Sequence, residues 1–138
     1  MTETRDGYTL TDDPRSVDLD AVCALLRDTY WAAGRPREMV ALTLEHSLCF
    51  TVRCGGEQVG LARVLTDRGG SSYVCDVVIH PDHRGRGLGR WLMQCLLRHP
   101  DVVNTRALLI TRDAQAFYRE FGFVTHPYEC MIKSEPAR

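Results

Sequence analysis

The sequence predicts a mixed α/β fold, a central, mostly antiparallel sheet flanked by about four helices, and three observations carry that expectation. Three apolar-alternating segments follow one another through glycine-rich turns, which is the pattern of an antiparallel meander. Helical periodicity lies on both sides of that meander, over residues 18–45 and 88–97. The last strand of the meander passes directly into a loop of glycines and arginines that opens the later helix, so at least one connection is a strand-to-helix crossing.

Taken in order, Tyr8, Thr9 and Leu10 alternate as an edge strand, which Asp12, Asp13 and Pro14 end as a turn. Leu19, Val22, Leu25 and Leu26 then recur at helical spacing, predicting a helix from Asp18 to about Tyr30, closed by Gly34. Pro36 opens a second helix whose apolar residues Met39, Val40, Leu42 and Leu44 carry it to about Glu45. Residues 47–54 read as a strand with Leu48, Phe50 and Val52 on one face, Gly55 and Gly56 as a hairpin turn, and residues 58–65 as the returning strand. A turn over 67–71 leads to the strand 73–79. The helix over 88–97 stops at Pro100 and Asp101. Residues 107–111 form a further strand, Asp113 is placed to cap a short helix bearing Ala114, Phe117, Tyr118 and Phe121, and Gly122 ends that helix with Phe123 after it. Residues 126–133 complete the expected sheet, and 134–138 form a frayed end.

A chain of 138 residues supports one hydrophobic core, so a single domain over 1–138 is expected. No apolar run is long enough to span a bilayer, and the first twenty residues lack the basic start and apolar middle of a secretory signal, which together point to the cytoplasm and to no membrane partner. The six cysteines lie mostly at apolar-periodic positions without a C-x-x-C pair, as reduced core thiols rather than a disulfide or zinc framework. His80 and His83 are separated by Pro81 and lack a third ligand, so no metal is expected. A net charge of −1 gives no general attraction to nucleic acid.

Function concentrates in Arg84, Gly85, Arg86, Gly87, Leu88, Gly89 and Arg90. A strand-to-helix turn of this composition gathers free backbone N–H groups at a positive helix end and lets an anion approach the main chain. Dinucleotide binding would need a third glycine where Arg90 stands, and a P-loop would need a Gly-Lys-Ser/Thr end; neither is present. A pyrophosphate cradle is the surviving reading, surrounded by three arginines whose alternative role is a solvated charged turn.

The run Arg84-Gly85-Arg86-Gly87-Leu88-Gly89 resembles the acyl-CoA motif of the GCN5-related N-acetyltransferases, and Val77-Val78-Ile79-His80-Pro81 is similar to the strand that leads into it. Ala114, Phe117, Tyr118, Gly122 and Phe123 resemble the family's second signature, a short tyrosine-bearing helix ending in Gly-Phe. The resemblance implies acetyl-CoA as co-substrate, with pantetheine along the open backbone of Val77, Val78 and Ile79, and pyrophosphate on the amides from Arg84 to Arg90. It further implies Tyr118 as the acid that protonates the departing thiolate, and coenzyme contacts near Thr111 and Asp113, although many members carry Asn where Thr111 stands. The family's early helices line the acceptor pocket, which implies Tyr30 and Trp31 as acceptor walls, with Asp28 and Glu38 nearby to attract an amine. Sheet-edge homodimers are also common in the family.

Acyl transfer to an amine needs a neutral nucleophile, a polarised carbonyl and a proton for the thiolate. Asp76 is an acid inside an apolar strand, where desolvation would raise its pKa and suit it to act as base; water-mediated deprotonation is the alternative, and a structural ion pair with Arg63 is the bland one. Two functions follow: an acetyl-CoA-dependent transferase acting on a small-molecule or peptide amine in a ternary complex, or a non-enzymatic acyl-CoA-binding or protein-interaction module on the same fold.

Overall fold

A computed structural model describes residues 1–134 and shows one six-stranded sheet in sequential order, β1 to β6. Its strands are β1 (Thr2–Arg5), β2 (Tyr8–Thr11), β3 (Leu48–Cys54), β4 (Glu57–Thr66), β5 (Ser71–Ile79) and β6 (Arg106–Leu108). All neighbours pair antiparallel except β5 and β6, which run parallel. The helices are α1 (Leu19–Arg27), α2 (Arg37–Glu45), α3 (Leu88–Arg98) and α4 (Gln115–Arg119). The mixed, mostly antiparallel sheet with four helices is the expected architecture.

Each sheet face carries its own cluster. On one face α3 buries Leu88, Trp91, Leu92, Met93, Cys95 and Leu96 against Phe50, Val52, Ala62, Val64 and Val74. On the other, α1 and α2 bring Val22, Leu25, Leu26 and Val40 onto Cys49, Leu61 and Val78. The 3.6-residue period of α1 and α3 is thus spent on opposite sides of one sheet. Between them the sheet is drawn tight at Gly60, where a Cβ would lie 2.9 Å from the Ile79 side chain and 3.2 Å from Val52 Cβ.

Several expectations are corrected. Tyr8–Thr11 is an interior strand: β1 lies outside it, joined by a turn with Asp6 and Gly7 at φ +51° and +83°, and pinned by the Trp91 indole donating to Glu3 at 2.9 Å. An Asp-Gly pair is a hairpin signal, but the polar composition of residues 2–5 hid the strand. Helix α1 ends at Arg27 rather than Tyr30, which frees residues 28–36 to form a loop over the sheet. The strand expected over 107–111 is observed over Arg106–Leu108, and residues 109–111 lie outside the sheet. Asp113 does not cap α4; the Thr111 hydroxyl accepts from the Ala114 amide at 3.0 Å instead. Residues 126–133 form no strand: Pro127 removes a backbone donor, β6 offers only three residues as a template, and Tyr128, Met131 and Ile132 stand exposed. Of the frayed end, residues 135–138 lie outside the described residues. Cys49 and Cys95 are buried as expected, whereas Cys130 is exposed.

Candidate active site

The site arises because β5 loses its outer neighbour. Its parallel pairing with β6 covers only Ser71, Ser72 and Tyr73, opposite Arg106, Ala107 and Leu108. A register shift between Arg63 and Val64 then leaves Cys75 as an extra residue in β5, a bulge that bends the strand where the sheet opens. On the inner side the His80 amide donates to the Val59 carbonyl at 2.8 Å, with Ile79 opposite Gly60. Antiparallel alternation therefore turns the backbone groups of Val77 and Ile79 to the open edge and those of Val78 to β4. The Ile79 carbonyl is taken by Arg84 Nε at 3.0 Å. The N–H and C=O of Val77 and the N–H of Ile79 remain for a ligand.

At the end of that edge the chain makes one short 3-10 turn, Pro81–His83, and reaches the glycine loop. Gly85 and Gly87 hold φ of +76° and +78°, a left-handed conformation costly for any other residue, and Gly87 is the N-cap of α3. The first α3 bond runs from the Trp91 amide to the Gly87 carbonyl, and the amides of residues 85–90 have no acceptor among the described residues. They form a contiguous set of donors at the positive end of an eleven-residue helix. Gly89 admits the Phe117 ring at 3.6 Å from where a Cβ would be, which seats α4 against the start of α3.

The arginine side chains are partly engaged elsewhere. Arg86 donates to the Tyr8 hydroxyl at 3.1 Å, which shares a 2.8 Å hydrogen bond with His83 Nδ1, and Arg90 pairs with Glu120 at 2.7 Å on the surface. His80 Nδ1 accepts from the Asp82 amide.

A cleft of about 770 Å³ joins these parts. Its floor is Val77, Val78 and Ile79, one end is the glycine loop, one wall is Asp28 to Trp31, and the other is Arg112 to Ala114 with Phe117 and Tyr118. A second cavity of about 480 Å³ opens from it towards Arg35, Arg63, Tyr73 and Cys75, and the two share Val77 and Tyr118. Tyr30 bridges the walls, its hydroxyl accepting from the Arg112 amide at 3.0 Å while the Arg112 guanidinium stacks 3.8 Å above its ring. Tyr118 is half-buried, and its hydroxyl has no hydrogen-bond partner among the described residues. Burial, with a smaller effect of Tyr30, raises its pKa, so it holds its proton at neutral pH.

Asp76 departs from the expected base. Its side chain is 1% exposed; Oδ1 accepts from the Trp31 indole at 2.7 Å, and Oδ2 from Arg63 at 2.8 Å and Arg35 at 3.0 Å. Burial pulls its pKa up and is the largest single influence, but the hydrogen bonds and charges of the two arginines together outweigh it, so the pKa is lowered. The carboxylate is an anchor for the loop carrying Trp31 and Arg35. Thr111 lines the second cavity rather than the glycine-loop cleft, Asp113 borders both while pairing with Arg112 at 3.2 Å, and Glu38 is exposed on α2 and lines neither. The sequence reading missed Arg35, Arg112 and His83 as cleft residues; an arginine and an aspartate inside two adjacent apolar strands was the one available signal for the Arg63–Asp76 pair.

An open strand edge that leads into a helix start with acceptor-free amides among the described residues defines the geometry of this α/β domain. Residues 45–125 match the model of the acetyltransferase (GNAT) domain. A protein of Xanthomonas campestris described as belonging to the GNAT family is 33% identical, with a TM-score of 0.88 over 96% of both chains. The uncharacterised N-acetyltransferase ycf52 of Gracilaria tenuistipitata is 34% identical over 80% of this chain and 62% of its own length. A soybean histone acetyltransferase, TAP1, is 33% identical over 80% of this chain and 52% of its own length. The chain belongs to the GNAT acetyltransferase family. It spans less than two thirds of the length of these two curated relatives.

Proposed function

We propose that the protein is an N-acetyltransferase that moves an acetyl group from acetyl-CoA to a primary amine by direct attack in a ternary complex. The observation that carries this reading is one cleft in which Gly85, residues 87–90, the open edge at Val77 and Tyr118 meet, the loop amides and the Tyr118 hydroxyl having no partner among the described residues. Pyrophosphate on the loop amides would run the pantetheine along β5, pairing its amide groups with Val77 and Ile79. The thioester then reaches the junction of the two cavities.

There the amine attacks the thioester carbonyl, the C–N bond forms, and the tetrahedral intermediate collapses with cleavage of the C–S bond. Tyr118, kept protonated by burial, gives its proton to the departing thiolate. Asp76 is sealed and held in the anionic form by two arginines, so the ammonium proton leaves through water, and a proton returns through water to the Tyr118 phenolate.

Tyr118→Phe tests the assignment. Steady-state kinetics should show kcat reduced about 10²-fold, within the usual range for a general acid, while calorimetry shows acetyl-CoA affinity nearly unchanged. Unaltered turnover would remove Tyr118 from the chemistry. Coenzyme binding without thiol release across an amine panel would favour the non-enzymatic acyl-CoA module instead.

A further inference from the structure

Resting on the acetyl-transfer reading, we infer that the acceptor is a small amine bearing its own anionic group, and that Arg35 and Arg63 hold that group in the second cavity. The argument begins with a charge imbalance. Two guanidinium groups converge on one carboxylate, at 2.8 and 3.0 Å from the same oxygen of Asp76, and its other oxygen is occupied by the neutral indole of Trp31. The cluster carries one positive charge more than it neutralises. Both arginines are largely withdrawn from bulk water, with side chains 8% and 17% exposed. A withdrawn charge without a counter-charge is costly.

Among the described residues no fixed group lining this cavity supplies the missing anion. Arg112 and Asp113 line the same cavity but pair with each other. The thiols of Cys49 and Cys75 are pushed up by burial, Cys49 to about 11, and the Tyr73 hydroxyl is raised as well, so all three stay neutral near pH 7.

Donors remain to meet a ligand. Arg63 spends Nε on Asp76 and Nη1 on the Ser47 hydroxyl at 3.0 Å, and Arg35 spends Nη1 on Asp76. Arg63 Nη2 and the Nε and Nη2 of Arg35 have no acceptor among the described residues. No polar side-chain atom of a described residue is both sealed and unpartnered, so these nitrogens reach open space, and both residues line the second cavity. Planar guanidinium forks suit carboxylate or phosphate oxygens. A cavity of about 480 Å³ has room for a molecule of amino-acid size. Its junction with the main cleft at Val77 and Tyr118 puts the far end of such a molecule at the thioester. The same excess charge repels a polyamine or a lysine flanked by basic residues.

The test uses the full chain and matched acceptors: γ-aminobutyrate against butylamine for the carboxylate arm, glucosamine 6-phosphate against glucosamine for the phosphate arm, and spermidine as the cationic control. Binding is read calorimetrically on the coenzyme A complex and turnover by thiol release. At least one anionic member should bind tenfold or more tightly than its uncharged partner and show a matching gain in kcat/KM. Arg35→Gln should reduce that preference at least tenfold with coenzyme A affinity held within twofold, and Arg35→Lys should restore part of it. Uncharged or cationic members that bind as well as or better than the anionic ones overturn the inference, as does binding by none of the panel. If Arg35→Gln fails to fold, the matched pairs on the unaltered chain still decide. Failure to bind coenzyme A at all would instead overturn the transferase reading beneath it.

Discussion

The two halves of the cleft are built from different parts of the chain. The loop half, residues 84–90, offers main-chain amides at a helix start, and its geometry is set by the positive φ of Gly85 and Gly87. The second half, around Asp76, offers side chains from the loop between α1 and α2, from β4 and from β5, drawn together across 41 and 45 residues of sequence. A backbone site tolerates changes in its side chains but not in its conformation. A side-chain site has the opposite sensitivity, because each member is held by the others.

The sharpest way to break the second half is to remove its hub. Asp76→Ala leaves Arg63 and Arg35 without their shared carboxylate and the Trp31 indole without an acceptor. Deleting one partner of a buried ion pair costs about 3–5 kcal/mol, and denaturant unfolding should show a loss of that size. The pH dependence has a fixed sign. Asp76 has its folded pKa lowered, so its contribution is complete above the unfolded value near 3.8 and is lost as pH falls below that value towards the folded one. Acid unfolding of the native chain should therefore steepen below pH ~4, and Asp76→Ala should flatten that limb. A stability loss under about 1 kcal/mol would mean that the arginines find water instead.

The first half breaks through conformation. Gly87→Ala adds a Cβ that meets nothing within 4 Å, so only the left-handed backbone at φ +78° is penalised. That strain is about 1–2 kcal/mol, and relaxing it turns the amides of residues 85–90 away from their common centre. Calorimetry should show coenzyme A affinity falling about tenfold, the equivalent of that strain, with a stability loss smaller than that of Asp76→Ala. Unchanged affinity would show that the loop amides do not carry the phosphates.

This contrast also explains what the sequence could reveal. Gly85, Gly87 and Leu88 mark the loop half because φ sign and helix start are local properties, readable at fixed spacing. The strands and α3 are equally local, through periods of 2 and 3.6. The apolar strand around Asp76 makes desolvation visible and predicts a raised pKa, whereas Arg35, which helps to lower it, arrives from a distant loop that only the fold places. Strand β1 was missed because its residues are polar and its partner is a hairpin neighbour rather than the core. The strand expected over 126–133 fails for another reason: its apolar residues Tyr128, Met131 and Ile132 favour a strand, but Pro127 removes a donor and no sheet edge of sufficient length stands beside it.

The smallest expected effect separates amides from arginines within the loop itself. Arg90 lies at the third position of α3, where its amide is free while its side chain pairs with Glu120, both about half exposed. Such a surface pair contributes about 0–1 kcal/mol, so Arg90→Ala should leave the melting temperature almost unaltered. It retains the amide but removes one positive charge from the rim, which should weaken coenzyme A binding about two- to fivefold, more at low salt than at high. Glu120→Gln should act in the opposite sense, releasing the guanidinium and tightening binding in low salt. A loss for Arg90→Ala as large as that for Gly87→Ala would place the phosphate on the side chain and make the loop half, like the half around Asp76, a site of converging charges.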